Sequence, residues 1–180
     1  MIVIGIDIGV TGALTAVDSR GSCQIRDLPT QEVETKAKAG TRAMVKRRLC
    51  PVGLMRLLRE FVPAGEFGLA LYEDVHSMPG DSGPSGFSLG ESRGVVRAVL
   101  ELARMDARAV QPQTWQRHYG LMLQREDRET DAEYSARKKG AAREKARTLY
   151  PGAASMLARV KDHNRADSVL IAHYGLGVLA

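Results

Sequence analysis

The N-terminal part of the chain shows apolar runs separated by short turns. An almost continuous β-branched run covers residues 2–8, and a second apolar run follows Gly9 and Gly12 at residues 13–17. A run without polar alternation is typical of a strand covered on both faces. A third run over residues 23–28 comes after a short polar turn, so the pattern predicts a three-stranded antiparallel meander.

Helical and strand patterns alternate through the rest of the chain. The predicted elements are a helix over 51–61, a strand over 68–72, a helix over 87–105, a strand over 107–110, a short helix from 112, a basic helix ending before Pro151 and a last helix over 168–179. Segments 76–86 and 124–134 are expected to be loops. Together with the meander, these elements predict an α/β fold with a five-stranded mixed sheet flanked by helices.

Three carboxylates stand at the ends of predicted apolar elements. Asp7 interrupts the first strand, Glu73 follows the fourth strand, and Asp167 lies where the last helix becomes apolar. A carboxylate among apolar residues is costly to bury unless a cation or hydrogen-bond donors meet it. The alternative for Asp7 is that it holds the turn at Gly9. If the first and fourth strands are neighbours, Asp7 and Glu73 converge.

A carboxylate cluster of this kind predicts a site for hard divalent cations. Carboxylate oxygens suit Mg²⁺ or Mn²⁺, and two ions about 4 Å apart can activate a water and stabilise the leaving oxygen of a phosphodiester. Phosphodiester hydrolysis is therefore the expected chemistry. Asp162 is a further acidic candidate, with a helix N-cap as its structural alternative. His163 lies four residues before Asp167, on the same helix face if the helix extends that far.

The composition indicates a basic protein of one domain, residues 1–180. Its net charge of +5 favours a polyanionic partner. No apolar run approaches the length of a membrane span and no basic region precedes the first apolar segment, so we expect the cytoplasm or an organellar matrix rather than secretion. Cys23 and Cys50 are far apart, which argues against a disulfide scaffold or structural zinc.

Basic residues concentrate in segments that are candidates for contact with DNA. Residues 30–50, poor in apolar residues, look like a mobile or DNA-contacting insertion, and the alternative is a solvated linker or surface helix. Each Lys or Arg that meets a phosphate releases counterions, so affinity should fall with salt. The candidates are Lys36, Lys38, Arg42, Lys46, Arg47, Arg48, Lys138, Lys139, Lys161 and Arg165.

Four short motifs make the chain resemble the RuvC-type Holliday junction resolvases. They are Gly5-Ile6-Asp7-Ile8-Gly9 with Gly12-Ala13-Leu14, then Tyr72-Glu73, then Leu89-Gly90-Glu91-Ser92-Arg93-Gly94-Val95, and finally Arg165-Ala166-Asp167-Ser168 with Leu170-Ile171-Ala172. Within this family the chain is most similar to the phage and chloroplast branch. The C-terminal segments of its members resemble residues 161–167 of this chain. The motifs occur in the right order over nearly the whole chain.

The resemblance implies a ribonuclease H-like fold and a homodimer that grips a four-way DNA junction and makes paired metal-dependent nicks in opposing strands. Asp7 and Glu73 match the first two acidic residues of the family, and Asp167 matches the last. Where many bacterial members have an acid or His three residues before the last Asp, this chain has Asn164. Either Asp162 or His163 would then substitute, as a metal ligand or as a general base.

Bacterial members of the family also carry an aromatic wedge three residues after the second acid. His76 occupies that place in this chain. Phe87 is a candidate stand-in, although we expect it to be a core residue. The lone Trp115 is expected to be a core residue rather than a platform on which bases stack.

Other functions remain open at the level of sequence. A related nuclease could act on flap, forked or duplex nucleic acid, and a non-catalytic DNA-binding module would keep the basic surface without three convergent carboxylates. Residues 6–12 also look like the first phosphate loop of sugar kinases and actin-like ATPases, but those enzymes need a second such domain.

Overall fold

The computed structural model describes residues 1–34, 45–76 and 82–178. Within these ranges the strands are β1 (Ile2–Asp7), β2 (Ala13–Asp18), β3 (Cys23–Asp27), β4 (Thr30–Glu34), β5 (Val45–Leu49), β6 (Gly68–Glu73) and β7 (Asp106–Val110). The α-helices are α1 (Pro51–Phe61), α2 (Gly83–Leu102), α3 (Pro112–His118), α4 (Asp131–Leu149) and α5 (His163–Val178), with 3-10 segments at Pro151–Leu157 and Val160–Asp162. No described helix combines the length and apolar character needed to cross a membrane.

The main sheet has the strand order β3-β2-β1-β6-β7. The first three strands pair antiparallel, whereas β1, β6 and β7 run parallel. The five-stranded mixed sheet predicted from the sequence is therefore confirmed. Its central strand β1 lies directly beside β6, the fourth strand of the sequence prediction, so the two predicted acidic strand ends are neighbours.

The sheet is covered on both faces, as the unbroken apolar run of β1 predicts. Val3 faces a core formed with α3, α4 and α5, whereas Ile4 and Ile6 face a second core formed with α1 and α2. All three side chains are fully buried. Burial on both faces explains why β1 lacks polar alternation and why its one carboxylate stands at the strand end.

The basic segment 30–50 contains a two-stranded ribbon that its low apolar content does not reveal. β4 and β5 pair antiparallel from Thr30 opposite Leu49 to Glu34 opposite Val45. Cys50 closes the base of the ribbon by donating its N–H to the Pro29 carbonyl at 2.8 Å. In its described parts, residues 30–34 and 45–50, the segment is thus neither a surface helix nor an irregular linker.

Three helices begin earlier than the predicted elements. α2 begins at Gly83 instead of residue 87, because the Ser82 hydroxyl accepts the Ser85 N–H at its N-terminus. α4 begins at Asp131, inside the predicted 124–134 loop, where Thr130 and Glu133 form a capping box. α5 begins at His163, five residues before the predicted start. In each case the first turn of the helix is polar, so it lacks the apolar spacing from which the start of a helix is predicted.

Candidate active site

Asp7 and Glu73 lie at the same edge of the sheet because of the strand register. β1 and β6 are parallel, and Ile6 pairs with Tyr72. The next residue on each strand is the acidic one, so the two carboxylates stand on adjacent strands at their carboxyl ends. In open α/β sheets this is the edge at which ligands bind.

α5 brings Asp167 to this edge by crossing β1 at very short range. A Cβ atom built on Gly5 would lie 2.2 Å from the Ser168 carbonyl oxygen and 2.3 Å from the Ala172 nitrogen, so only glycine permits this crossing. The Thr15 and Ser168 hydroxyls hydrogen-bond at 2.7 Å and tie the helix to β2. Asp167, immediately before Ser168, is thereby fixed beside Asp7.

The electrostatics of the three carboxylates indicate that they are close together and partly withdrawn from water. The pKa of Asp7 is raised well above its usual value by burial, and further by the negative charges of Asp167 and Glu73. Burial and the charge of Glu73 raise the pKa of Asp167 to about 7, against the opposing effect of Lys139 and Lys138. Burial also raises the pKa of Glu73, although a hydrogen bond from Trp115 opposes this.

This donor set fits a divalent cation. The ion pairs between described residues leave Asp7, Glu73 and Asp167 without a Lys or Arg partner. In this structure no group of three or more His, Cys, Asp or Glu side chains among the described residues is spaced to hold a metal ion, so the fit rests on the chemistry of the donors. Like charges at short range repel, and a bound cation is what would draw such carboxylates together.

Asp162, the predicted fourth acidic residue, is engaged elsewhere. Its carboxylate accepts hydrogen bonds from the Arg159 guanidinium, the shortest at 2.8 Å, and lies 3.5 Å from Arg165. The Arg159 hydrogen bonds are the main reason that the pKa of Asp162 is lowered. The raised pKa values of Asp7 and Asp167 owe nothing to Asp162. The structure therefore does not bring it into the carboxylate cluster.

His163 and Asn164 line a cleft of about 580 Å³ that Asp162 also lines and that none of the three clustered carboxylates lines. The His163 Nδ1 is 3.3 Å from the Val160 carbonyl, which can only accept, so its hydrogen is on Nδ1 and Nε2 is left as an acceptor. Burial and then the charge of Lys139 lower the pKa of His163, which favours the neutral ring. The Asn164 amide donates to the Thr11 carbonyl at 2.7 Å and anchors the turn after β1.

The predicted basic residues divide into two groups. Lys138 and Lys139 line a cavity of about 310 Å³ together with Asp167, and Lys161 lines the cleft of His163. By contrast, Arg165 is engaged with Asp27 through two hydrogen bonds of 2.6 and 2.5 Å.

On the ribbon, Lys46 and Arg47 are exposed, whereas Arg48 pairs with Glu91 of α2 at 3.0 Å. Lys36, Lys38 and Arg42 lie outside the described residues.

The three residues considered for the aromatic wedge or for base stacking differ in their exposure. Trp115 is 1% exposed, which confirms it as a core residue. Phe87 is 71% exposed at the start of α2, so its core alternative is wrong. His76 is exposed, with Nε2 3.4 Å from an Asp74 carboxylate oxygen.

Sequence reasoning missed one residue of the site. The Trp115 indole Nε1 donates a hydrogen bond to Glu73 Oε1 at 2.9 Å. The available signal was general: a buried Trp N–H usually finds a polar partner. Nothing in the spacing of residues 73 and 115 identifies that partner.

The strand order, the position of α5 and the acidic sheet edge define a ribonuclease H-like, RuvC-like fold. Two solved structures of RuvC from T. thermophilus are similar to the chain at 15% sequence identity. The first, RuvC in complex with a Holliday junction substrate, has a TM-score of 0.55 and covers 99% of this chain and 97% of its own. The second, RuvC alone, has a TM-score of 0.51, with coverages of 98% and 96%.

A sequence relative is the chloroplastic Holliday junction resolvase MOC1 of Chlamydomonas reinhardtii. It is 28% identical over 169 residues, which cover 88% of this chain. The chain spans only 18% of that relative's length. No protein-family profile matches the chain. The predicted resemblance to RuvC-type resolvases is thus confirmed in sequence and in fold.

Proposed function

We propose that this protein is a Mg²⁺-dependent endodeoxyribonuclease that resolves four-way DNA junctions by paired nicks. The observation that carries the proposal is the convergence of Asp7, Glu73 and Asp167 at one edge of a RuvC-like sheet. Burial raises the pKa of all three carboxyl groups, and neighbouring carboxylates raise the pKa values of Asp7 and Asp167 further, which is an unfavourable arrangement unless it serves a site. The similarity to MOC1 and to RuvC bound to a Holliday junction favours the junction as substrate.

The same three carboxylates are the proposed metal ligands. Two Mg²⁺ ions, for which Mn²⁺ substitutes, would supply an activated water and stabilisation of the leaving oxygen. Asp7 and Asp167 are both partly buried, so bulk water has limited access to their carboxylates. A cation there would lower the pKa of both carboxyl groups by favouring their charged forms.

His163, rather than Asp162, is the proposed additional catalytic group. Its neutral ring carries a free acceptor at Nε2, as a general base requires. Asp162 is satisfied by Arg159 and Arg165, and removing it from that pair would leave two guanidinium groups without their shared carboxylate. We therefore assign Asp162 a structural role.

Lys138, Lys139 and Lys161 are the proposed phosphate contacts nearest the carboxylates. The first two line the cavity that contains Asp167, and the third lines the cleft of His163. Lys46 and Arg47 would extend this basic surface along the ribbon. Such contacts bind the DNA backbone, while junction shape supplies the selectivity.

A homodimer is proposed on the evidence of the outer face of α2. Cβ atoms added to Gly90 and Gly94 would meet no described atom within 4 Å, so these glycines face away from the sheet. Phe87 and Leu102, toward the two ends of the helix, are 71% and 76% exposed. A small-residue stripe between exposed apolar side chains suits close packing against the same helix of a second copy.

We further propose that residues 1–180 act as one nuclease domain, in the cytoplasm or in an organelle matrix. The two cores lie on opposite faces of a single sheet, which supports one folding unit.

The decisive experiment compares labelled four-way, forked and linear DNA, each with Mg²⁺ and with chelator. We expect symmetrically placed nicks in the four-way junction only, and only with Mg²⁺. Asp7→Asn should bind the junction normally and cut it at least about 100-fold more slowly, because it keeps the shape of the ligand and removes its charge. Asp106→Asn, on the exposed edge strand β7, is the matched control and should cut normally.

Two outcomes would contradict the proposal. Equal cutting of linear and branched DNA would remove junction selectivity. No cutting of any substrate, with normal junction binding, would leave a non-catalytic DNA-binding module.

A further inference from the structure

We propose that Trp115 is the positioning residue for Glu73: its indole N–H holds one carboxylate oxygen so that the other is presented to the divalent cation. This inference rests on the proposed function, since it concerns how one of the three carboxylates is kept ready to bind metal. Trp115 itself would touch neither metal nor DNA backbone. It would act only through Glu73.

The contact has the features of a fixed hydrogen bond. The Nε1–Oε1 distance is 2.9 Å, and the indole nitrogen can only donate. Trp115 is 1% exposed, so water does not compete for the donor, and the ring cannot turn away without opening the core. The direction of this hydrogen bond is therefore set by packing and not by Glu73.

The backbone that carries Glu73 is fixed independently. The next residue, Asp74, donates its N–H to the Val110 carbonyl at 2.9 Å. The Asp74 carboxylate accepts the Gln111 amide at 2.7 Å and pairs with Arg93 of α2. With the strand end held in this way, the remaining freedom of Glu73 lies in its side-chain torsions. The indole restrains those torsions.

The restraint of Glu73 by the indole is important because the three carboxylates of the site repel one another when they are ionised. Once Asp7 and Asp167 are ionised, their negative charges next to Glu73 favour rotation of the Glu73 side chain away from them when no cation is bound. The indole N–H is a neutral donor, so it stabilises the charged form of the Glu73 carboxylate without adding a positive charge that would compete with the metal ion. Groups that orient metal ligands in this way commonly contribute 10–100-fold to metal affinity.

The single tryptophan of this chain makes a near-isosteric test practicable. Biosynthetic replacement of Trp by benzothienylalanine exchanges N–H for sulfur at position 115 alone and keeps the bicyclic ring. We expect the Mg²⁺ concentration for half-maximal junction cleavage to rise about 10-fold. The cleavage rate at saturating Mg²⁺ and the junction affinity in chelator should stay within about twofold, because Trp115 acts on the ligand and not on the DNA.

Mn²⁺ binding measured by calorimetry, without DNA, supplies a readout that does not depend on activity. The Mn²⁺ affinity should fall by the same factor in the analogue protein and in Trp115→Phe, which keeps an aromatic ring and loses the donor. Tyr150→Phe is the matched control: it removes a hydroxyl bonded to His173 in the same core and leaves Glu73 untouched. Its Mn²⁺ affinity should equal that of the unaltered protein.

Trp115 fluorescence in the unaltered protein gives a third readout. Saturable quenching of its emission by Mn²⁺ is expected, since a bound ion would lie one carboxylate away from the indole. Glu73→Gln, which keeps an oxygen acceptor for the indole and removes the ligand charge, should lose this quenching.

The outcomes separate this inference from the function on which it rests. If the analogue protein and Trp115→Phe bind Mn²⁺ as tightly as the unaltered protein, the positioning role is excluded while the nuclease proposal stands. If the unaltered protein neither binds Mn²⁺ nor cuts the junction, the nuclease proposal fails and the positioning role fails with it. Weakened Mn²⁺ binding in Tyr150→Phe as well would assign the effect to the core and overturn the inference.

Discussion

At the level of single residues, the candidate site consists of three carboxyl groups whose ionisation destabilises the fold. Asp7, Glu73 and Asp167 all have raised pKa values, with burial as the first cause. A carboxyl group whose pKa is higher in the folded than in the unfolded protein destabilises the fold once it is ionised. If the cluster is the proposed cation site, the protein gives up stability there for function, as functional sites commonly do.

Asp167→Asn should stabilise the metal-free protein. The folded pKa of Asp167, about 7, lies above its usual 3.8. The cost of ionising Asp167 is therefore absent below about pH 4, grows as the pH rises from about 4 to about 7, and is fully present above about pH 7. Chemical denaturation in chelator should show a gain of about 1–3 kcal/mol at pH 8. The gain should vanish near pH 4, and a gain that persists there would contradict the charge explanation.

Gly5→Ala should be strongly destabilising. The new Cβ would lie 2.2 Å from a backbone oxygen of α5, and neither main chain can move without disturbing the sheet. We expect a loss of about 3 kcal/mol or more in the free energy of unfolding. Gly140→Ala, on an open face of α4, is the control and should gain about 0.5–1 kcal/mol from helix propensity. Similar unfolding curves for the two variants would contradict the close crossing.

Among the secondary-structure elements, α4 is joined to the segment before it, residues 124–130, by an ion pair and a hydrogen bond. Arg137 of α4 donates to Glu129 at 2.8 Å and to the Gln124 carbonyl at 2.8 Å. The hydrogen bonds from Arg137 are the main cause that lowers the pKa of Glu129 to about 2. These contacts fix residues 124–130 against the helix that carries Lys138 and Lys139.

Glu129→Gln should therefore change the pH dependence of stability. A carboxyl group with a lowered folded pKa stabilises the fold above its unfolded pKa, here about 4.5, and loses that effect as the pH falls toward about 2. The melting temperature of the variant should be lower than that of the unaltered protein at pH 7, and the difference should shrink below pH 4.5. Glu144→Gln, at an exposed pair on the same helix, should show little difference at any pH. A Glu129→Gln difference that is constant with pH would contradict the ion-pair origin.

For the molecule as a whole, we expect the basic residues near the carboxylates to determine how the proposed DNA binding responds to salt. Lys138→Ala with Lys139→Ala should weaken junction binding and reduce the slope of log affinity against log salt by about 2, because two phosphate contacts are lost. Fluorescence anisotropy in chelator measures this slope. Lys145→Ala, which removes a cation that lies over the Tyr119 ring, is the control. An unchanged slope in the double variant would remove these lysines from the DNA interface.

Gly94→Leu tests the proposed dimer face. Open space around this position lets the folded monomer accept a side chain, whereas a close helix pair would not. Sedimentation should show dimers for the unaltered protein and monomers for the variant, with little change in circular dichroism. Gly140→Leu, at an open position of α4, should leave the dimer intact. Dimers in both variants would place the interface elsewhere, and monomers of the unaltered protein would exclude the homodimer.

The sheet, its acidic strand ends and the family resemblance could all be predicted from the sequence. These depend on local patterns: β-branched runs, turn glycines, and carboxylates at the point where an apolar element stops. Trp115 was placed in the core from its size alone, correctly. The helix starts and the β4–β5 ribbon were missed, because their polar residues carry no periodicity and are ordered by caps and cross-strand pairing.

The partner that each polar side chain meets is fixed by the fold and not by the local sequence pattern. Asp162 and Asp167 are both acidic candidates in the sequence, yet Asp162 is paired with Arg159 and Asp167 lies near Asp7. The hydrogen bond from Trp115 to Glu73 spans 42 positions and follows from how β7 and α3 return to the sheet. Such contacts depend on distances through space, which the order of residues along the chain does not specify.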